Sequence, residues 1–514
     1  MSGSFEIPVV VGVGDIKNPS SRPEDAIEPL GLMLQATKAA IDDTTLQSAS
    51  AGKLQAAIDS ISVVANWTWP YPNTPELLAG RLGCNARHMY ESEHGGNAPA
   101  ELLDEAARRI AYGKSQVAVV AGGEALASLA GCKQARKFPK GWTHLENATS
   151  ILERPRPKGL GTTHGLSQPT QIYAMYENSF RADQGEQPSK NHEDSSKLYA
   201  EFAQIAAANP NAWRHGMPAD TAEKIGTVTK KNRMICSPYP LLMNAFNIVN
   251  MSAACILTSA SFARELGIPE SKWIYPIGGA GTRDCAEFWK RPDFYSSRSL
   301  SLSLDKALTA SALTGDDIDL FDFYSCFPII PKLACHHLKL PLTGGQRPIT
   351  LLGGLTSFGG AGNNYSLHAI TEMVRQLRLG KGQYGLVLAN GGVVSYHHTV
   401  CLSRNPRKDG SPYPSQNPLP RNLRDDHPPI DERAQGRAVV ETYTVQYGRD
   451  GSPQIAFIVG RLQDSGHRFI ANAADGATLR ELSSTVNEQI GKHGWVDCEK
   501  ESGRNVFSLQ EHRI

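Results

Sequence analysis

Two stretches decide the fold: GKSQVAVVAGGEA, beginning at Gly113, and GKGQYGLVLANGGVV, beginning at Gly380. Each runs from a Gly-Lys turn into an apolar strand that ends beside paired glycines. Their glutamines, Gln116 and Gln383, lie 383 − 116 = 267 positions apart. Each unit follows a glycine turn, HGGN at His94–Asn97 and FGGAGNNY at Phe358–Tyr365, and then an amphipathic helix. In the first helix, Leu102, Leu103, Ala106, Ala107 and Ile110 share one apolar face. A repeated helix–strand unit predicts two similar α/β halves related by pseudo-symmetry, with a site where their glycine turns meet.

Working outward, Val9–Val13 and Ile61–Ala65 read as strands and Pro29–Ile41 as a helix, giving a first half over residues 1–125. Residues 126–274 are rich in Pro, Asn and charge, with a helix over Ser195–Ala208, and are expected to form a large insertion or cap. The second half is expected over 275–403, followed by a Pro- and Arg-rich linker, extended and exposed, over 404–434. Alternating runs at Val439–Tyr447 and Gln454–Arg461 flank a hairpin turn at Arg449–Ser452, a third strand is expected at Arg468–Ala473, and Thr478–Ile490 looks helical. Residues 435–514 therefore read as a small β-rich, OB-like domain.

The 514 residues include 52 Lys+Arg and 51 Asp+Glu, so a basic nucleic-acid coat is not expected. The C-terminal domain also lacks an aromatic-plus-basic stripe for single strands. No run reaches the roughly 18 apolar residues of a membrane span. Nine cysteines without close pairs suggest reduced, intracellular thiols. The start carries no secretory pattern, and the end, QEHRI, is not an SKL-type peroxisomal address, so the cytoplasm is expected over the peroxisome.

Neither glycine turn matches the phosphate loop or the dinucleotide fingerprint, so ATP and NAD are poorly supported. A glycine turn opening a helix presents free N–H groups to an anion or a developing oxyanion. Cys326, in Asp322-Phe323-Tyr324-Ser325-Cys326-Phe327-Pro328, stands where a strand ends, a place where sites gather. Candidate histidine partners are His94, His368, His397 and His398. Adjacent His336 and His337 beside Cys335 point to different helix faces, so no metal is expected. Arg136, Lys137 and Lys140, and Arg404, Arg407 and Lys408, form loose basic patches, read as solvated surface or as contacts for a phosphate-bearing ligand such as coenzyme A.

The strings AGGEALAS at Ala121, FDFYSCFP at Phe321, LLGGLTSFGGAGNNYSLHAI at Leu351 and LANGGVVSYHH at Leu388 carry a family resemblance. Over roughly residues 5–403 the chain resembles the thiolase superfamily, and more closely its thiolase-like members with an extra C-terminal β domain, often labelled acetyl-CoA acetyltransferases. The resemblance implies duplicated αβαβα halves, a coenzyme A thioester as substrate, no permanently bound cofactor, and a homodimer or dimer of dimers. It also exposes departures. The nucleophilic cysteine of thiolases falls on Gly96, the GHP histidine on Gly360, and the second catalytic cysteine near Ala389. The NEAF or HDCF string is YSCF here, with Tyr324 in its first place and Cys326 in the place of the HDCF cysteine. Glycine can neither carry an acyl group nor take a proton. The expected site is therefore non-standard, with Cys326, His368 and His397 as an acyl-transfer group. Gly96, Asn97, Tyr324, Gly360, Asn364 and Tyr365 are expected to hold the thioester oxygen and substrate. The expected function is an acyl-CoA-dependent acyltransferase performing acyl transfer or carbon–carbon bond formation. The alternative is a non-catalytic acyl-CoA-binding or partner subunit.

Overall fold

A computed structural model describes residues 5–145, 159–424 and 427–510. The chain opens with β1 (Pro8–Lys17), α1 (Pro29–Asp43), α2 (Ser48–Ala56), β2 (Ile58–Val63), α3 (Thr74–Leu82), β3 (His88–Glu91), α4 (Ala98–Ala111) and β4 (Val117–Ala125). Then come α5 (Leu126–Gln134), α6 (Leu160–Thr163), α7 (Pro169–Asp183), α8 (Pro188–Ala208), α9 (Ala222–Gly226), β5 (Met234–Cys236) and β6 (Tyr239–Pro240). Next are β7 (Asn250–Ser259), α10 (Ala260–Leu266), β8 (Tyr275–Arg283), α11 (Arg298–Ala310), β9 (Leu320–Phe323), α12 (Ile329–Leu338), α13 (Tyr365–Arg378), β10 (Tyr384–Gly391) and β11 (Tyr396–Ser403). The tail holds β12 (Gly436–Tyr447), β13 (Pro453–Leu462), β14 (Arg468–Ala473), α14 (Gly476–Leu482), β15 (His493–Cys498) and β16 (Asn505–Ser508).

Two sheets carry the halves, in the orders β1-β7-β4-β2-β3 and β8-β11-β10-β9. β4, β2 and β3 run parallel, as do β10 and β9, while the strands leading away from them are antiparallel. β4 and β7 are buried along their whole length, because helices cover both faces; this is why they read as continuous apolar or small-residue runs. The duplication is exact in register: α4 and α13 are both 14 residues long, and 365 − 98 = 267, the offset of the glutamines. These two helices form the layer between the sheets. α4 packs on β4 and also on β8, β10 and β11, while α13 packs on β10, β7 and β1. With α1 outside one sheet and α11 outside the other, the order is αβαβα.

Three expectations are corrected. The span 126–274 is not one insertion, because β7 lies inside it and pairs with both β1 and β4 as an inner strand of the first sheet. Its small residues gave no alternation to reveal it. The linker is only partly exposed. Tyr413 is buried and donates to Asp104 (2.7 Å), which also holds His398 and Arg108, so this strap is fastened to α4. The helix expected over Thr478–Ile490 stops at Leu482.

In the tail, β12 pairs with β13 and β15, β13 with β14, β14 in parallel with β16, and β16 with β15. Five strands thus close on themselves as an OB-like barrel. β5 and β6, from the segment between the halves, extend this sheet beyond β12.

Candidate functional site

A cleft of about 490 Å³ opens where the two halves meet. It lies between the start of α4, the loop from β9 to α12, the end of β10 and the first turns of α7. Its walls are aromatic and polar, from Trp67, Tyr173, Tyr324, Phe327, Tyr396 and the amides of Asn244, Asn247, Asn363 and Asn390. None of the described lining residues is Asp, Glu, Lys or Arg.

Gly96 sits at the floor, just before Asn97 starts α4. A Cβ at Gly96 would lie 2.9 Å from the Tyr324 hydroxyl and would overlap the carbonyl oxygen of Asn390. The missing side chain is thus what gives the tyrosine its place. Gly391 does the same from β10, since a Cβ there would lie 2.8 Å from the Gly96 nitrogen. Two side-chain-free positions therefore bring the α4 N-terminus, with its partial positive charge, to the cleft. Among the described residues the Tyr324 hydroxyl makes no hydrogen bond, and Tyr324 lines the cleft. Burial first, and then the neighbouring Cys326, raise its phenol well above the usual tyrosine value. At neutral pH it is a proton-bearing donor.

Cys326 lines the same cleft beside Tyr173 and Asn390. The Asn390 amide donates to the Tyr173 hydroxyl (2.9 Å) and approaches the Cys326 sulfur (3.8 Å). Burial pushes the thiol up to about 12, against a smaller opposing pull from the Tyr173 hydroxyl. The thiolate is the nucleophile in cysteine chemistry, and here nothing charged stabilises it.

Of the candidate histidine partners, His94 lines the cleft, whereas His368, His397 and His398 are held elsewhere. His368, buried on the face of α13 turned to β1, places Nδ1 2.6 Å from Asp15 Oδ1 and packs on Phe358. His397 points from β11 toward α11, with Nδ1 2.8 Å from the Ser299 hydroxyl. Burial, with Arg291 nearby, holds His397 down at about 3. Neither lines the cleft or touches Cys326. Helix phase and strand alternation turned them away, and sequence proximity to the glycine turns could not show this.

Of the other expected residues, Gly96 and Tyr324 line the cleft, while Gly360 lies one layer behind it, facing the lining residue Asn247. Asn97 donates to Glu101 along α4 (3.1 Å), and Asn364 donates to the Gly122 carbonyl (2.9 Å). Both precede a helix; the first bond stays within α4, and the second ties α13 to β4 of the other half. Tyr365 is buried and packs edge-on against Tyr324, with ring centres 5.4 Å apart. Sequence reasoning gave no weight to Tyr173, Asn363 or Asn390. The first lies in a helix remote in sequence, and the other two showed only as parts of glycine turns.

The C-terminal barrel supports this cleft from behind. Thr442 donates to the Met175 carbonyl (2.7 Å), Gln171 to Gln446 (2.9 Å) and Asn178 to the Tyr443 carbonyl (2.9 Å), all on α7, whose first turns form one wall. Arg468, buried, caps the carbonyls of Trp289, Arg291 and Pro292. Arg291 in turn donates to the Val394 carbonyl (2.9 Å) and the Ser395 hydroxyl (2.5 Å), fixing the turn that closes the opposite wall.

This architecture, two αβ halves with a barrel braced against the cleft, agrees with known proteins. Residues 418–501 match the thiolase-like protein type 1 additional C-terminal domain. A monomeric SCP2-thiolase-like protein type 1 from Mycobacterium smegmatis is 30% identical, with a TM-score of 0.80, covering 98% of this chain and 99% of that one. The chain belongs to this family of thiolase-like proteins with an additional C-terminal domain. The fold is shared more distantly by an Ltp2–ChsH2(DUF35) aldolase (19% identity, TM-score 0.58, 77% of this chain and 97% of that one). It is shared also by human mitochondrial 3-ketoacyl-CoA thiolase (14%, TM-score 0.56, 78% and 99%). No protein in the curated comparison matches.

Proposed function

We propose that the chain is an acyltransferase-type enzyme that acts on an acyl-coenzyme A thioester without forming an acyl-enzyme. The observation that carries this reading is the unpartnered Tyr324 hydroxyl, set beside Gly96 at the N-terminus of α4. A neutral phenol and a helix N-terminus are both suited to the negative charge that grows on a carbonyl oxygen under attack. A second substrate would attack the polarised carbonyl directly. The C–S bond breaks, a bond from carbon to the new nucleophile forms, and the nucleophile's proton passes to the coenzyme A sulfur. The name of the aldolase with this fold fits a site that works on carbonyl and carbon–carbon bonds. The absence of charged groups among the described lining residues favours an uncharged acyl group.

The protonated state of Cys326 favours a second reading, an acyl-CoA-binding subunit without turnover. One experiment separates the two. Tyr324→Phe should still bind hexanoyl-CoA, and turnover with candidate nucleophiles should fall about 10²–10³-fold. Binding by the wild type without turnover of any acyl-CoA tested selects the second reading. Turnover unchanged in the variant rejects Tyr324.

In this reading the enzyme needs no bound cofactor. It works as a monomer, like the M. smegmatis relative, in place of the homodimer or dimer of dimers that the resemblance implied. The four-residue β3, at the edge of the first sheet, offers little to a partner strand. Among the described residues no helix is long and apolar enough to cross a membrane. A reducing, cytoplasmic setting is proposed on the sequence, whose nine cysteines show no close pairs.

A further inference from the structure

We propose that His94, oriented by Asn363, is a second hydrogen-bond donor to the substrate's carbonyl oxygen, acting through its Nε2–H. This rests on the acyl-CoA reading above. His94 follows β3 and lines the cleft next to Gly95 and Gly96. Its ring stacks at a tilt on Trp67, with centres 5.3 Å apart, which fixes its plane. Its Nδ1 lies 3.1 Å from the amide nitrogen of Asn363. That same nitrogen donates to the backbone carbonyl of Ala65 at 2.7 Å, so the amide cannot be turned the other way without losing this bond. The nitrogen facing the ring is therefore a donor, and Nδ1 must accept. In a neutral imidazole the hydrogen then sits on Nε2.

Among the described residues Nε2 has no hydrogen-bond partner, and the ring is exposed to the cleft. The tautomer leaves it a donor and not a base. Asn363 is the counterpart of Gly96 under the duplication, since 363 − 96 = 267. One half has lost its side chain at this position, and the other half uses its side chain to set the histidine. Tyr324 from the second half and His94 from the first would thus serve one oxygen from two sides.

The test uses the whole chain and two ligands that differ only at the carbonyl, hexanoyl-CoA and the thioether S-hexyl-CoA. Wild type should prefer the thioester about tenfold, the scale of one or two neutral hydrogen bonds. His94→Ala should lower that ratio at least threefold, and His94→Gln, which keeps an N–H, should restore part of it. Binding of free coenzyme A reports that the variants are folded. Nitrogen-15 NMR of the wild type should show the Nε2–H tautomer, and Asn363→Asp should turn it to Nδ1–H and lower the ratio as His94→Ala does. An Nδ1–H tautomer in the wild type, or an unchanged ratio in folded His94→Ala, overturns the proposal. If wild type binds neither ligand, the acyl-CoA reading itself falls and takes this role with it, whatever the tautomer.

Discussion

The substitution Gly96→Ala tests the central claim that an empty position makes room for a phenol. The backbone there has no positive φ, so strain is not the issue; space is. The new Cβ lies 2.9 Å from the Tyr324 hydroxyl and overlaps the Asn390 carbonyl. Overpacking of this kind costs about 1–3 kcal/mol. Replacing Gly by Ala at a compatible backbone returns about 0.4–1 kcal/mol through the unfolded chain. A net loss of about 1–2 kcal/mol is expected. Tyr324→Phe alone removes a hydroxyl with no partner, so its stability should change by less than about 0.5 kcal/mol. Combined, the two should couple favourably by about 0.5–1 kcal/mol, because the hydroxyl that the Cβ strikes is gone. The rescue should be incomplete, because the Asn390 carbonyl belongs to the backbone of β10 and remains. Urea unfolding of wild type, both singles and the double gives the cycle. Gly96→Ala as stable as wild type, or a double whose cost is the plain sum, refutes the reasoning.

Three further outcomes are expected. With its thiol at about 12, Cys326 is ionised in only about one molecule in 10⁵ at pH 7, so mass spectrometry after incubation with hexanoyl-CoA should show no acylated Cys326 and Cys326→Ala should keep turnover within about threefold; an acyl adduct there would reverse this. Lys332, buried, donates to Glu177 (2.5 Å), Asn191 (2.6 Å) and Ser195 (2.8 Å), joining α12 to α7 and α8, so Lys332→Met should cost about 3–5 kcal/mol, and adding Glu177→Leu should recover part of it in urea unfolding; a double as costly as the single counts against a buried charge as the cause. Burial lifts Glu124 from 4.5 to about 7, so its contribution to stability is full below pH 4.5 and is lost as pH rises through 7; the stability of wild type relative to Glu124→Gln should fall between pH 5 and pH 8, and a flat difference would exclude the shift.

The chain alone determined the doubled α/β plan, because a helix and strand repeated at a constant offset leave the same periodicity twice. It determined the barrel's first three strands as well, since a surface barrel alternates and its hairpin turn is local. Its resemblance to thiolases pointed to Gly96 as the place of their nucleophilic cysteine, an expectation that needs one residue's identity and the family's pattern. β7 escaped notice because a strand of mostly small residues, covered on both faces by helices, carries no alternation. The cleft's partners were decided only in three dimensions. His368 and His397 stand close in sequence to the glycine turns, yet helix phase and strand pleat turn them to Asp15 and Ser299. Tyr324 and Gly96 are 228 residues apart (324 − 96), as Asn363 and His94 are 269 (363 − 94), and only the docking of the two halves brings each pair together. Local sequence sets periodicity and backbone freedom, whereas which side chains share a cavity depends on how whole sheets and helices pack.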